Sequence, residues 1–228
     1  MSVPRRPVSQ IALKLWVAVT GLFLVLFLTV HVLGNLQLFL PASIAQTSYN
    51  AYSEALSHNP IIQVAALVTY TSIIVHAAVS LTLSLRNRAK RAYVVEHANE
   101  SSPWYARKME LLGAILLGFL GLHMWSFWKP FKFGPIALDT DGKKDLYGLV
   151  SQSFSQPIVV IVYVLSMLAL GFHLQHGLSA AFRSLGLYHA RADGLIRRVA
   201  PTLAWTFAGL FAAMPLYLLA TLATRGAP

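Results

Sequence analysis

Residues 157–183, PIVVIVYVLSMLALGFHLQHGLSAAFR, decide how this chain is read. The run opens on a proline, well suited to a first helical position, and stays apolar for long enough to cross a bilayer core of ~30 Å at ~1.5 Å rise per residue. Near its end stand two imidazoles, His173 and His176, at a depth where the surrounding solvent is hydrocarbon. An ionisable side chain placed there is costly and needs a partner. Taken singly, such a His is more often a helix-to-helix hydrogen bond than a metal ligand, although neutral imidazole binds haem iron well. The rest of the chain has to decide between the two.

Working outward, 56% of the 228 residues are hydrophobic and 11% charged, and the mean hydropathy is +0.59. That is too apolar for a soluble domain of this size. Apolar runs at about 15–40, 60–85, 110–128, 157–182 and 201–222 predict five transmembrane helices in one all-α bundle spanning residues 1–228. The first run is too long for the apolar core of a signal peptide, and Ser43 and Ala45 imitate a cleavage site only weakly, so an uncleaved span is expected.

A net charge of +10 invites a nucleic-acid reading in a soluble protein, but here the basic residues cluster between the spans. Thirteen of the 18 Lys and Arg fall in the tail before span one, the loop at 86–108 and the loop at 183–200. The positive-inside rule then places these segments, and the N-terminus, in the cytoplasm and the C-terminus outside. No nucleic-acid partner is implied; the partner surface is membrane lipid.

The chain has no Cys, which excludes disulfides, thiolate metal sites, iron–sulfur clusters and covalently attached c-type haem within it. It also lacks a dinucleotide fingerprint and a P-loop, so flavin, nicotinamide or ATP chemistry belongs to another subunit. Histidine, with eight copies, is the abundant metal-capable residue that remains.

Helical rise sorts the histidines by depth. His31 lies about 25 Å from Lys14 and His123 about 22 Å from Lys108, near the outer surface. His76 lies about 15 Å from Arg86, and His173 and His176 about 15 Å and 10 Å from Arg183, near the inner surface. Four spans thus contribute an outer pair, His31 with His123, and an inner pair, His76 with His173 or His176. Bis-imidazole haem ligation needs two rings at one depth on different helices, and two such levels predict two b-type haems across the bilayer. Depth leaves the choice between His173 and His176 open. Gly34 shares a helix face with His31, where it either clears a flat macrocycle or permits close helix packing.

Several segments in order give these features a family likeness: Thr20-Gly21-Leu22 with His31-Val32-Leu33-Gly34-Asn35-Leu36, Tyr49-Asn50-Ala51-Tyr52, Phe131-Lys132-Phe133-Gly134, His173-Leu174-Gln175-His176-Gly177-Leu178-Ser179, and Leu185-Gly186-Leu187-Tyr188-His189. Over nearly its full length the chain resembles the di-haem cytochrome b subunit, b558 type, of succinate dehydrogenase, which is similar to the membrane subunit of di-haem fumarate reductases. The resemblance implies His31 and His123 as ligands of an outer haem b, and His76 and His176 as ligands of an inner one. His173 then becomes a propionate or neighbouring contact.

The same resemblance implies a flavoprotein and an iron–sulfur subunit as partners on the cytoplasmic side of a bacterial inner membrane. Electrons would pass from them to this chain and on to a quinone, menaquinone by family likeness. Succinate oxidation itself would lie outside this chain. Arg86, Arg88 and Arg183 at the inner end, with Lys129 or Lys132 at the outer end, are candidates for pairing with propionates. Glu54 is the one carboxylate of the first outer loop able to exchange a proton with quinone, although a solvated loop position is the simpler reading. His58, His97 and His189 are expected as solvated loop residues.

Rival readings are a fumarate reductase subunit, the cytochrome b of another quinone-linked oxidoreductase such as a hydrogenase or formate dehydrogenase, a cytochrome b561-like protein, and a haem-free anchor or transporter. Apart from Glu110 at the very start of the third, the five runs hold no acidic residue, and Leu174 stands where some fumarate reductases carry a glutamate, which favours succinate oxidation. No internal duplication with broken helices marks a transporter.

Overall fold

The structure, a computed structural model, describes residues 9–91, 103–187 and 190–225. His97, Tyr188, His189, Arg5 and Arg6 lie outside these residues. The elements in order are α1 (Gln10–Asn35), a 3₁₀ turn (Leu36–Phe39), α2 (Ala42–His58), α3 (Pro60–Arg91), α4 (Trp104–Arg107), α5 (Met109–His123), a π-helical turn (Met124–Trp128), α6 (Lys129–Phe133), α7 (Leu146–Phe154), α8 (Pro157–Ser184) and α9 (Ala190–Arg225). Among the described residues the sole β-type contact is an isolated bridge between Leu138 and Lys144.

Five of these stretches are long and apolar enough to cross a membrane: Gln10–Phe39, Pro60–Arg88, Met109–Phe133, Pro157–Ser184 and Ala192–Thr224. The protein is an all-α, polytopic bundle. Large apolar side chains such as Ile11, Leu26, Leu67, Ile74, Ile158 and Leu165 stand exposed on it, as a lipid-facing surface requires.

Helix α8 is the axis of the bundle. Its buried residues Val160, Tyr163, Met167, Gly171, Leu174, Leu178 and Ala181 recur every three or four positions and form one continuous seam. It packs against α1, α5 and α9, while α1 also packs on α3. With no hydrophobic drive between helices in lipid, close approach comes from small residues. On α9 these are Ala200, Ala204 and Ala208, all buried, and on α8 it is Gly171, where an added Cβ would stand 2.8 Å from the Trp205 ring. Gly186, at φ +72°, closes α8: its N–H donates to the Arg183 carbonyl and the Leu187 N–H to that of Phe182.

The two ends of the bundle differ. One end carries Lys14, Arg86, Arg107, Lys108 and Arg183, and is called here the basic end. The opposite, cap end is built by α2, α6 and α7. The segments 37–59 and 129–156 read as loops in the sequence, yet much of each is helical. Helix α2 is short and polar, with Ala45 and Tyr49 buried one turn apart, so it can form an amphipathic cover but cannot span.

The cap is fastened by Asn50, whose side chain is 1% exposed. Its amide donates to Asp139 Oδ2 (3.0 Å) and Asp145 Oδ1 (2.9 Å), and its carbonyl accepts from the Tyr147 N–H (2.9 Å). Gln46 donates to Asp145 Oδ2 (3.0 Å), and Asp145 also caps α7 by accepting from the Gly148 N–H. Asp139 accepts from the N–H groups of Asp141 and Lys143 in a turn completed by Gly142 at φ +75°. The Asn50 amide, followed by the Lys143 N–H, holds the Asp139 carboxyl below the usual carboxylate range.

Candidate functional site

The histidines expected from depth meet in two places. Toward the cap end, His31 of α1 and His123 of α5 have ring centres 5.8 Å apart. Toward the basic end, His76 of α3 faces His173 of α8 at 6.4 Å. Two imidazoles on opposite sides of one metal ion have ring centres about 6.2 Å apart, given a metal–nitrogen bond of about 2 Å and a ring centre roughly 1.1 Å behind the nitrogen. Both separations fall close to that value.

Around the outer pair the wall is aromatic. Phe27 stacks on His31 at 5.4 Å and Phe211 lies 5.7 Å away, while Phe119, Phe127 and Tyr163 surround His123 at 5.8, 5.5 and 6.2 Å. The Tyr163 hydroxyl lies 3.3 Å from His123 Nδ1. His123 is the last residue before the π-helical turn. Such turns arise where the ordinary ladder is interrupted, and Pro130, just beyond, cannot donate a backbone hydrogen bond. No local pattern in the sequence marks this turn.

Around the inner pair the neighbours are small or hydroxylated. An added Cβ on Gly21 would meet His76 Cε1 at 3.1 Å, and one on Gly113 would meet His173 Cε1 at 3.8 Å. Thr20 Oγ1 lies 3.1 Å from His76 Nδ1. His173 Nδ1 is buried with no hydrogen-bond partner among the described residues. A buried imidazole nitrogen without a partner is rare, and bound metal is one way to satisfy a polar atom left so.

Of His173 and His176, three positions apart on one helix, it is His173 whose ring faces His76. His176, for which the resemblance argues, lies one turn nearer the basic end, within electrostatic reach of Arg183. Between them, Gln175 is committed elsewhere: it donates to the Tyr105 hydroxyl (3.1 Å) and accepts from Trp205 Nε1 (2.9 Å).

At Gly34 a Cβ would lie 2.7 Å from the Tyr52 ring, so its absence admits the close approach of α2. Next to it, Tyr49 donates to Asn35 Oδ1 (2.8 Å), and Asn35 donates to the His31 carbonyl (2.7 Å). Burial pushes the Tyr49 phenol above its usual range. Two of the segments quoted for the family likeness therefore pack directly on each other.

Among the basic candidates, Lys129 Nζ sits 3.3 Å over the Trp125 ring, a cation–π contact. Arg86 and Arg183 stand at the basic end with interactions of their own. Arg88 pairs with Glu110, which Ser84 also contacts, in the first turn of α5.

Glu54 departs from the expected solvated loop residue. It belongs to α2, its Oε2 is buried without a hydrogen-bond partner, and it lines a cavity of about 460 Å³ at the cap end with His58, Phe131, Lys132, Leu138 and Lys143. His58 is exposed, its Nδ1 3.0 Å from the Glu54 carbonyl.

Among the described residues the histidines gather in pairs, and no group of three or more His, Asp or Glu forms. Two imidazoles suffice for iron already held by a macrocycle, which supplies the remaining nitrogens. The ring separations, the glycines beside the inner rings and the unpartnered His173 nitrogen all fit such a group. No family model, curated protein or solved structure matches this chain.

Proposed function

We propose that this chain is the di-haem cytochrome b membrane anchor of a succinate:quinone oxidoreductase, conducting electrons between cytoplasmic flavoprotein and iron–sulfur partners and a membrane quinone. The observation that carries the reading is the pairing of histidines at two depths, His31 with His123 and His76 with His173, at separations suited to one iron each. Bound haem supplies a one-electron iron couple at each pair. The paired imidazoles would hold it, inside a shell that keeps water out, with the depth of each pair fixed by its helices. The outer shell is aromatic and the inner one small and hydroxylated, so the two irons have different surroundings and need not share a potential.

At the cap end, Glu54 is the group placed to give or take the proton that accompanies quinone reduction. Its buried carboxylate oxygen and the cavity beside it support that role. Menaquinone, the bacterial inner membrane and N-terminus-in topology belong to the same proposal, on the family likeness and the distribution of Lys and Arg. Among the described residues, the acidic groups of the five spans are confined to the first turns of α5 and α9, at Glu110 and Asp193. A chain of carboxylates across the bilayer is therefore missing, which favours succinate oxidation over quinol-driven fumarate reduction.

The test is to purify the chain with its partners from native membranes and add succinate. Reduction of b-type haem, followed by reduction of a menaquinone analogue and blocked by malonate, is expected. Purification without a flavoprotein, or haem that succinate leaves oxidised, overturns the assignment.

A further inference from the structure

Thr20 is the one threonine of the described spans that bonds to a histidine. Thr29, Thr69, Thr71 and Thr82 each donate a hydroxyl proton to the carbonyl four residues back in their own helix. Thr20 does the same, to the Trp16 carbonyl at 2.7 Å, with Val17 at 3.3 Å, but its oxygen also meets His76 Nδ1 at 3.1 Å across the α1–α3 interface. The side chain is 6% exposed.

A hydroxyl has one proton and two acceptor lone pairs. The Thr20 proton is committed to a backbone carbonyl, which can only accept, so toward His76 the oxygen can act only as an acceptor. Facing Nδ1, the Thr20 oxygen therefore requires the proton of neutral His76 to sit there, leaving the Nε2 lone pair free. Tyr163 imposes no such choice on His123: its phenol proton has no other partner among the described residues and can rotate either way.

We propose that Thr20 is a positioning residue that fixes the Nδ1–H tautomer and the ring orientation of His76, presenting Nε2 as the metal ligand and making it more basic. A ligating His that donates its other N–H becomes a better donor to the iron, favouring the ferric state and lowering the potential. This inference rests on the haem reading above and deepens it at one pair. It also assigns a function to the Thr20-Gly21 segment: Gly21 leaves room for the ring and Thr20 sets its protonation.

The test uses the purified complex with wild-type, Thr20→Val and Thr20→Ser chains, reading haem content, a redox titration of each haem and low-temperature EPR. Valine keeps the shape of threonine and removes the acceptor; serine keeps the acceptor. The expected result is that Thr20→Val raises the midpoint potential of the inner haem, shifts its low-spin EPR signal and weakens its retention by about 10- to 100-fold. The outer haem stays unchanged, and Thr20→Ser restores wild-type behaviour. Two haems with unaltered inner potential and EPR in Thr20→Val would overturn the inference while leaving the haem reading intact. Wild-type complex without haem would overturn the reading on which it rests. A variant that loses both haems together, with no rescue by serine, would reduce Thr20 to a packing residue.

Discussion

The imidazoles of His31 and His123 lie with ring centres 5.8 Å apart, at 88° to one another, although they come from helices separated by the whole of α2, α3 and α4. Bringing two ionisable rings together inside an apolar bundle is costly unless something binds between them. Removing either partner leaves one axial ligand, so His31→Ala or His123→Ala is expected to lose the outer haem and keep the inner. Haem per chain, read by pyridine haemochrome, should fall from two to about one.

The inner pair separates geometry from family likeness. With His173 facing His76 at 6.4 Å, His173→Ala should abolish the inner haem, while His176→Ala should retain it with altered surroundings. EPR of the two variants decides the matter. Loss in His176→Ala and retention in His173→Ala would show that the likeness, not the ring geometry, identifies the ligand.

Two glycines that look alike in sequence should behave differently. Gly21→Leu pushes a side chain into the space of the His76 ring and is expected to cost the inner haem alone. Gly34→Val collides with Tyr52 and should lower the thermal stability of the purified chain by about 1–3 kcal/mol through overpacking, with both haems kept. Parallel spectra and unfolding curves check both.

Asn50 joins three segments of the cap. Asn50→Ala strands the Tyr147 N–H and removes donors from Asp139 and Asp145, a loss of about 3 kcal/mol at roughly 1 kcal/mol or more per broken bond. Hydrogen exchange in α2 and α7 should rise while the span cores stay protected.

Acid should loosen the same cap. The Asp139 carboxyl is depressed from its ordinary 3.8 by hydrogen bonds to the charged form, so its contribution is complete above that pH. It is lost as pH falls through the lower folded value. Protection factors of α2 amides, which remove the intrinsic slowing of exchange in acid, are expected to fall between pH 5 and pH 3 in the wild type, and this acid-dependent part should vanish in Asp139→Asn.

The five spans could be read from the sequence because hydrocarbon imposes one simple demand, a long apolar run, and basic residues mark the ends. The depth of each histidine followed from helical rise alone. Helix α2 was hidden because its face is polar and interrupted, and its stability comes from α7 and from the long-range bonds of Asn50 to Asp139, Asp145 and Tyr147, which a local pattern does not contain. His173 and His176 could not be separated by depth, since the deciding quantity is rotation about α8, set by packing of the Val160-to-Ala181 seam against three neighbours. Thr20 carried no signal of its own: threonine in a span ordinarily bonds to its own backbone, and only the approach of α3 gives its second lone pair a partner.

The most direct measurement is a reduced-minus-oxidised spectrum with a pyridine haemochrome assay on the purified chain. Two low-spin b-type haems per chain, one lost with His123→Ala and the other with His76→Ala, are predicted. A chain purified intact from native membranes with no haem, or haem that survives loss of these histidines, would contradict the account.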